Sequence, residues 1–93
     1  MDELTKNRIA QAADALRAAG AREVYLFGSA TTDAFDEGSD VDIAVSGLPP
    51  EAFFKAMGMA RRALRRPLDL VDLDEDTPFT RCLKEEEEMA RVG

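Results

Sequence analysis

The chain of 93 residues carries 19 acidic and 12 basic side chains, which gives a formal net charge of −7 at neutral pH. A chain of this length forms one domain, placed at 1–93, and an apolar fraction of 45% is enough for a small hydrophobic core. The negative charge argues against direct nucleic-acid binding, and the absence of histidine excludes imidazole chemistry. No signal peptide is visible, and no apolar run is near the ~20 residues of a membrane span, which predicts a cytoplasmic protein.

The first half of the chain predicts one helix followed by two strands. Residues 2–19 carry apolar side chains at helical spacing. A strand at 23–27, rich in β-branched and aromatic residues, leads into Gly28-Ser29, where a short helical turn is expected. A second strand follows at 40–45, in which apolar and polar residues alternate.

The second half predicts a helix at 51–65, a strand at 67–73 and a last helix at 79–91. In the last helix we expect Cys82 to be a buried apolar residue, and Glu86 falls on the apolar side. This order of elements predicts an α+β fold, in which helices pack over one face of a small mixed β-sheet.

Two carboxylates share one face of the second predicted strand. Asp40 and Asp42 are two positions apart and therefore point to the same side, while Val41 and the alternating apolar residues after it point into the core. Two adjacent carboxylates with no basic neighbour on the strand repel each other, and a divalent cation removes that repulsion. Oxygen-only ligands favour Mg²⁺ or Mn²⁺ over zinc.

A two-metal displacement needs a third carboxylate from a neighbouring strand, and Asp69 and Asp72 are both available. Periodicity does not choose between them, because both faces of 67–73 carry apolar residues. Asp69 is the first choice because a polar residue in the middle of a strand needs a reason, and Asp72 is held in reserve. In this scheme Asp40 and Asp42 bind the metal ions, while Asp69 binds the ion nearest the attacking hydroxyl and helps to remove its proton.

The Gly28-Ser29 turn adds a loop of the size that accommodates a phosphate. Gly28 lets the backbone approach a phosphate closely, and Ser29 supplies a hydroxyl and an N–H donor. Ser39, directly before the carboxylates, is a further candidate for nucleotide binding. The stretch lacks the ligand spacing of an EF-hand and the glycine pattern of a P-loop. The turn and the carboxylates together predict nucleotidyl transfer.

Gly28-Ser29, ten intervening residues and Asp40-Val41-Asp42 resemble the signature of the minimal nucleotidyltransferases of the DNA polymerase β superfamily. Residues 67–74 resemble the later strand that carries the family's third aspartate, which favours Asp69. The resemblance covers nearly the whole chain and implies a polymerase-β-like nucleotidyltransferase fold. It also implies Mg²⁺-dependent transfer of a nucleoside monophosphate from ATP or another NTP, with two metal ions bound.

Stand-alone relatives of this size are often encoded beside a HEPN-domain protein and resemble antitoxins that adenylylate a tyrosine of a HEPN toxin. The resemblance therefore implies a HEPN-type partner protein, and a second copy of the chain in a homodimer is a further candidate partner. One alternative function is a binding module that neutralises its partner by contact alone. Another is nucleotidyl transfer to a small molecule or an RNA end.

The sequence departs from its relatives in two places. Relatives commonly carry basic residues soon after Gly-Ser, whereas positions 30–33 here read Ala-Thr-Thr-Asp. Several arginines lie at 61–66, at the end of a predicted helix. The simplest interpretation is that they are solvated cations that stabilise the helix end. The alternative is a basic patch that binds phosphates or an acidic partner. Relatives also continue into a short last strand after the position of Gly93, so we expect an open sheet edge here.

Overall fold

The computed structural model describes residues 1–85 and 89–92, in which three helices pack on a four-stranded sheet. The predicted α+β class and mixed sheet are confirmed. Two 3₁₀ turns, Gly28–Thr31 and Pro50–Ala52, complete the regular structure of these residues. The helices and strands, in chain order, are α1 Glu3–Ala18, β1 Glu23–Phe27, β2 Val41–Ser46, α2 Phe53–Leu64, β3 Leu68–Asp72, α3 Pro78–Glu85 and β4 Ala90–Arg91.

The sheet has the strand order β3-β2-β1-β4. β1 is antiparallel to both β2 and β4, whereas β2 and β3 are parallel. A parallel pair needs a long crossover connection, and α2 provides it. This register puts Asp42 beside Phe27 on one neighbouring strand and beside Asp69 on the other.

The main core lies between the sheet and the pair of helices α1 and α2. Val41, Ile43 and Val45 alternate along β2 and are fully buried on this side, as their spacing predicts. Alanines on both helices are also fully buried, which lets the helix backbones approach the sheet and each other. None of the helices in the described ranges is both long and apolar enough to cross a membrane.

A smaller core lies on the opposite face of the sheet. Ala44, which alternates with the residues of the main core, is buried there with Phe27, Leu73 and Leu83. Leu83 belongs to α3, so α3 packs on the face that α1 and α2 leave open. The expectation that all helices cover one face was therefore wrong for α3.

The last part of the chain also differs from the expected helix at 79–91. β4 pairs with β1 there, with Arg91 opposite Tyr25 and Ala90 opposite Leu26. The backbone N–H of Val92 extends the pairing by donating to the carbonyl oxygen of Val24 at 2.9 Å. The outer edge of β1 is therefore paired rather than open, because backbone hydrogen bonding to a free sheet edge overrides the helical spacing of the apolar residues.

Two expectations for side chains of the last helix have different outcomes. Cys82 is exposed rather than buried, because α3 turns Thr80 and Leu83 inward instead. The start of the helix is held by reciprocal hydrogen bonds, in which the backbone N–H of Thr80 donates to the Thr77 hydroxyl and the backbone N–H and hydroxyl of Thr77 donate to the Thr80 hydroxyl. The position of Glu86 lies outside the described residues.

Candidate active site

Asp42 and Asp69 lie side by side where the parallel strands β2 and β3 begin. They are register partners, and side chains of paired positions point to the same face of a sheet. Asp42 is half-buried, whereas Asp69 and Asp40 are exposed. Asp40 stands one residue before β2 and is near enough to influence the ionisation of Asp42. The fold therefore brings the three carboxylates chosen from the sequence to one end of the sheet.

The electrostatics of this end of the sheet are unfavourable for the protein alone. Burial raises the pKa of the Asp42 carboxyl above its ordinary value, and the negative charges of Asp69 and Asp40 raise it further. An oxygen-only donor set whose members repel one another suits Mg²⁺ or Mn²⁺, since a bound cation would remove that repulsion. Within residues 1–85 and 89–92, no three acidic or cysteine side chains are gathered into a complete set of metal ligands.

Asp72, the reserve candidate, occupies the other face of β3. Its register partner is Val45, which belongs to the main core beneath the helices. One carboxylate oxygen of Asp72 accepts a hydrogen bond from the backbone N–H of Asp74 at 2.9 Å. The pairing of β2 with β3 thus separates two aspartates that strand periodicity could not distinguish, and only Asp69 faces Asp42.

Gly28 is required by the position of Asp42 as well as by the backbone. Its φ angle is +66°, in the left-handed region that favours glycine. A Cβ atom at this position would lie 2.5 Å from Oδ2 of Asp42, which is far inside contact distance. The first residue of the turn and the second carboxylate of the motif are therefore packed directly against each other across β1 and β2.

The turn after Gly28 is held by two threonine hydroxyls. Thr31 Oγ1 donates to the carbonyl oxygen of Gly28 at 2.8 Å, and Thr32 Oγ1 donates to that of Ser29 at 3.0 Å. These threonines occupy the stretch where relatives commonly carry basic residues, and here they stiffen the turn without adding charge. The Ser29 hydroxyl is half-buried and makes no hydrogen bond within the described part of the chain.

The loop that leads to Asp40 is a compact turn built on Asp36. The Asp36 carboxylate accepts hydrogen bonds from the backbone N–H of Gly38 at 2.8 Å and from the Ser39 hydroxyl at 3.2 Å. The Ser39 hydroxyl in turn accepts from the backbone N–H of Asp36 at 3.1 Å. The hydroxyl predicted to contact a nucleotide is thus also engaged in shaping this loop.

The sequence pattern did not single out Arg66 from the arginines at 61–66. In the structure Arg66 Nη1 donates to the carbonyl oxygens of Asp36 and Ser39, each at 3.3 Å. Its guanidinium carbon also lies 4.8 Å from the centroid of the Phe35 ring, within the range of a cation–π contact. The one sequence signal for this role was Phe35, an aromatic residue in an otherwise small and polar loop.

Three solved structures have similar folds. A toxin–antitoxin complex with AMP-PNP matches with a TM-score of 0.70 and 25% identity, over 95% of this chain and 72% of the other. A MntA–HpeT toxin–antitoxin mutant with two aspartate-to-glutamate changes matches with a TM-score of 0.65 and 25% identity, over 90% and 70%. A MntA–HepT toxin–antitoxin complex, at 24% identity, shows the fold alone, with a TM-score of 0.63 over 99% and 72%.

No curated protein has a sequence significantly similar to that of this chain. The family described as "Polymerase beta, Nucleotidyltransferase" matches residues 11–89. This range contains the Gly-Ser turn, the loop that follows it and all three carboxylates at the end of the sheet. A match over most of the chain, on a fold that brings these groups together, shows that the chain belongs to the polymerase β nucleotidyltransferase family.

Proposed function

We propose that this nucleotidyltransferase uses Mg²⁺ to move AMP from ATP to a hydroxyl group, and that the acceptor is a tyrosine of a HEPN-type toxin. The observation that carries the proposal is the sheet register that pairs Asp42 with Asp69 next to the Gly28 turn; burial and the negative charges of Asp69 and Asp40 also raise the pKa of Asp42. Carboxylates that crowd one another beside a phosphate-sized turn suit cation-assisted phosphoryl chemistry better than a structural role.

Asp40 and Asp42 would hold two Mg²⁺ ions, with Mn²⁺ as a substitute, and Asp69 would hold the ion nearest the acceptor. When bound, the ions supply positive charge to the attacking and leaving oxygens. Asp69 would also accept the proton of the attacking hydroxyl. The hydroxyl oxygen then bonds to the α-phosphorus of ATP, the bond to the β-phosphate oxygen breaks, and pyrophosphate leaves.

Gly28, Ser29 and Ser39 would position the nucleotide. The missing side chain at Gly28 leaves room for the Asp42 carboxylate beside the turn, and the half-buried Ser29 would donate to a phosphate from its hydroxyl and its N–H. Ser39 would lie beside the nucleotide while its hydroxyl keeps the preceding loop in shape. These groups bind and orient the substrate, and proton transfer is left to Asp69.

The likeness to toxin–antitoxin complexes, one of them with AMP-PNP, supports an adenine nucleotide as the donor and a toxin as the acceptor. A homodimer in which a second copy completes the acceptor site is an alternative arrangement. The short strand β4 covers the edge of β1, so a partner strand would have to join the sheet at the outer edge of β3 or of β4.

The test is transfer of label from radiolabelled ATP, with Mg²⁺, to the product of the neighbouring gene, which the proposal expects to be a HEPN-type toxin. We expect the wild type and Asp72→Asn to label the toxin on tyrosine, and Asp42→Asn and Asp69→Asn to fail. Asp72→Asn is the matched control, since it removes the same charge from the same strand as Asp69→Asn, on the opposite face. Equal labelling by the wild type and Asp42→Asn would refute the proposal.

The lack of basic residues after Ser29 favours one second candidate, neutralisation of the toxin by contact alone. The two functions separate in cells that express the toxin. If the double variant Asp40→Asn/Asp42→Asn still protects them and still binds the toxin, contact is sufficient and transfer is not the protective function. If protection is lost while the complex still forms, transfer is required.

A further inference from the structure

Arg66 differs from the other arginines at the end of α2. Arg61, Arg62 and Arg65 are exposed, whereas Arg66 is half-buried. α2 ends at Leu64, and the residue that caps it, Arg65, has a left-handed backbone with a φ of 61°. The chain changes direction at this point, and Arg66 thereby comes to lie against the loop that precedes Asp40.

Three contacts join Arg66 to that loop. Its Nη1 atom donates to two carbonyl oxygens, those of Asp36 and Ser39, each at 3.3 Å. Its guanidinium lies 4.8 Å from the centroid of the Phe35 ring. The loop itself is closed by hydrogen bonds between Asp36 and Ser39, so a group that binds both residues fixes the loop as one unit.

The residue after Arg66 provides a second anchor on the other side of Asp40. The carbonyl oxygen of Pro67 accepts a hydrogen bond from the backbone N–H of Val41 at 3.1 Å. Two consecutive residues thus hold the chain at Ser39 and at Val41, directly before and after Asp40. Asp40 itself is exposed, and among the described residues its carboxylate has no hydrogen-bond or ion-pair partner.

We infer that Arg66 is a positioning residue that holds the backbone of Asp40 in place for cation binding. The inference rests on the proposed role of Asp40 as a metal ligand. A carboxylate on a free loop would lose conformational entropy each time it bound a cation. The contacts of Arg66 with the loop order it before the cation binds and so remove part of that cost. Lysine cannot replace Arg66 fully, since an ammonium group lacks the planar surface that the guanidinium presents to the Phe35 ring.

The inference predicts local consequences that general destabilisation would not produce. Without Arg66, the amides of Gly38 and Ser39 should exchange faster with solvent while amides of the central strand β2 keep their protection. Cation affinity should fall as well. A contact that only stabilised the fold would change protection throughout the sheet and leave the cation affinity of the folded protein unchanged.

The test compares Arg66→Ala and Arg66→Lys with Arg62→Ala, which removes the same charge from the same cluster without touching the loop. Amide exchange is followed by NMR, and binding of Mn²⁺ alone is followed by the EPR signal of the free ion, under conditions where every variant is folded. For Arg66→Ala we expect about tenfold faster exchange at Gly38 and Ser39 and about tenfold weaker Mn²⁺ binding, the effect of losing charge-assisted hydrogen bonds. Arg66→Lys should recover only part of either effect, and Arg62→Ala should match the wild type.

The inference is overturned if Arg66→Ala exchanges and binds Mn²⁺ as Arg62→Ala does. It is also overturned if Arg66→Lys restores both quantities fully, because charge alone would then be sufficient. If the wild type binds no Mn²⁺, the proposed metal site fails, and the exchange comparison still decides whether Arg66 holds the loop. Should Arg66→Ala not fold, Arg66→Lys and Phe35→Leu provide the same comparison with one contact weakened.

Discussion

Replacing Asp42 by asparagine should make the folded protein more stable at neutral pH, although it should abolish the proposed transfer. Asp42 is half-buried, and Asp69 and Asp40 place negative charge beside it. Asparagine has nearly the same shape and carries no charge, so it keeps the packing against Gly28 and removes the repulsion. Active sites commonly sacrifice stability in this way.

The size of the gain follows from the register of the sheet. Neighbouring strands lie ~5 Å apart, and two like charges at that distance repel by ~0.8 kcal/mol in water or ~3 kcal/mol in a partly buried setting. Because Asp69 is exposed, solvent screening favours the lower end. We expect a gain of about 1 kcal/mol, or roughly 4–8 °C in Tm for a domain of this size.

The pH dependence has a definite sign. The pKa of Asp42 is raised in the folded protein above its ordinary value of 3.8, so folding opposes ionisation of this group. The contribution of Asp42 to the stability of the wild type should therefore fall as the pH rises from 3.8 through the raised pKa. The Asp42→Asn variant lacks this loss. Its advantage should be complete above the raised pKa and should disappear below 3.8.

Urea and thermal unfolding, followed by circular dichroism across this pH range, measure the difference. Asp33→Asn is the matched control. It removes one negative charge, as Asp42→Asn does, but at an exposed position in the loop between β1 and β2. If Asp42→Asn is no more stable than Asp33→Asn at neutral pH, or if its advantage persists below 3.8, the electrostatic explanation is wrong. Mg²⁺ should stabilise the wild type by mass action and Asp42→Asn much less.

Gly28→Ala should lower the free energy of unfolding, measured in urea, by about 1–2 kcal/mol, because of the left-handed backbone and the collision with Asp42. The loss should be smaller in an Asp42→Ala background, and equal losses in both backgrounds would exclude the collision. Asp69→Asn should lower the kcat of transfer at least about 100-fold, a typical loss for a general base, whereas Asp72→Asn should keep its activity. The reverse result would make Asp72 the third carboxylate. Asp74→Ala should lower stability by roughly 1 kcal/mol at neutral pH, since its exposed carboxylate accepts two hydrogen bonds at the end of β2. Because these bonds lower the pKa of Asp74, that contribution should vanish as the pH of a urea titration falls through the lowered value.

Local patterns were sufficient for the elements that carry the motif. The strand at 23–27, the short turn at Gly28 and the alternation of the second strand all appear in the structure, because each depends on neighbouring residues only. The alternation also gave the correct face for Asp42, since Val41 and Ile43 are buried on the opposite side. These features need no knowledge of the rest of the fold.

Long-range pairing was not accessible from the same patterns. The choice of Asp69 over Asp72 as the neighbour of Asp42 depends on how β3 aligns with β2, and strand periodicity carries no information about alignment. The strand at Ala90–Arg91 is held by backbone hydrogen bonds to β1, which leave no mark on apolar spacing. The contact between Arg66 and the loop could not be predicted for a similar reason, since its hydrogen-bond acceptors are backbone carbonyls rather than side chains.

The two neighbours of Asp42 reach it by routes of very different length along the chain. Phe27 is joined to it by a single loop, whereas Asp69 arrives only after α2 has crossed over the sheet. Closing the longer connection costs more entropy, so pairing of β2 with β3 should follow pairing of β1 with β2 during folding. We therefore expect the repulsion between Asp42 and Asp69 to develop late in folding, so that neutralising it slows unfolding more than it changes refolding. The crowded carboxylates would then shorten the lifetime of the native state, with little effect on the speed at which it forms.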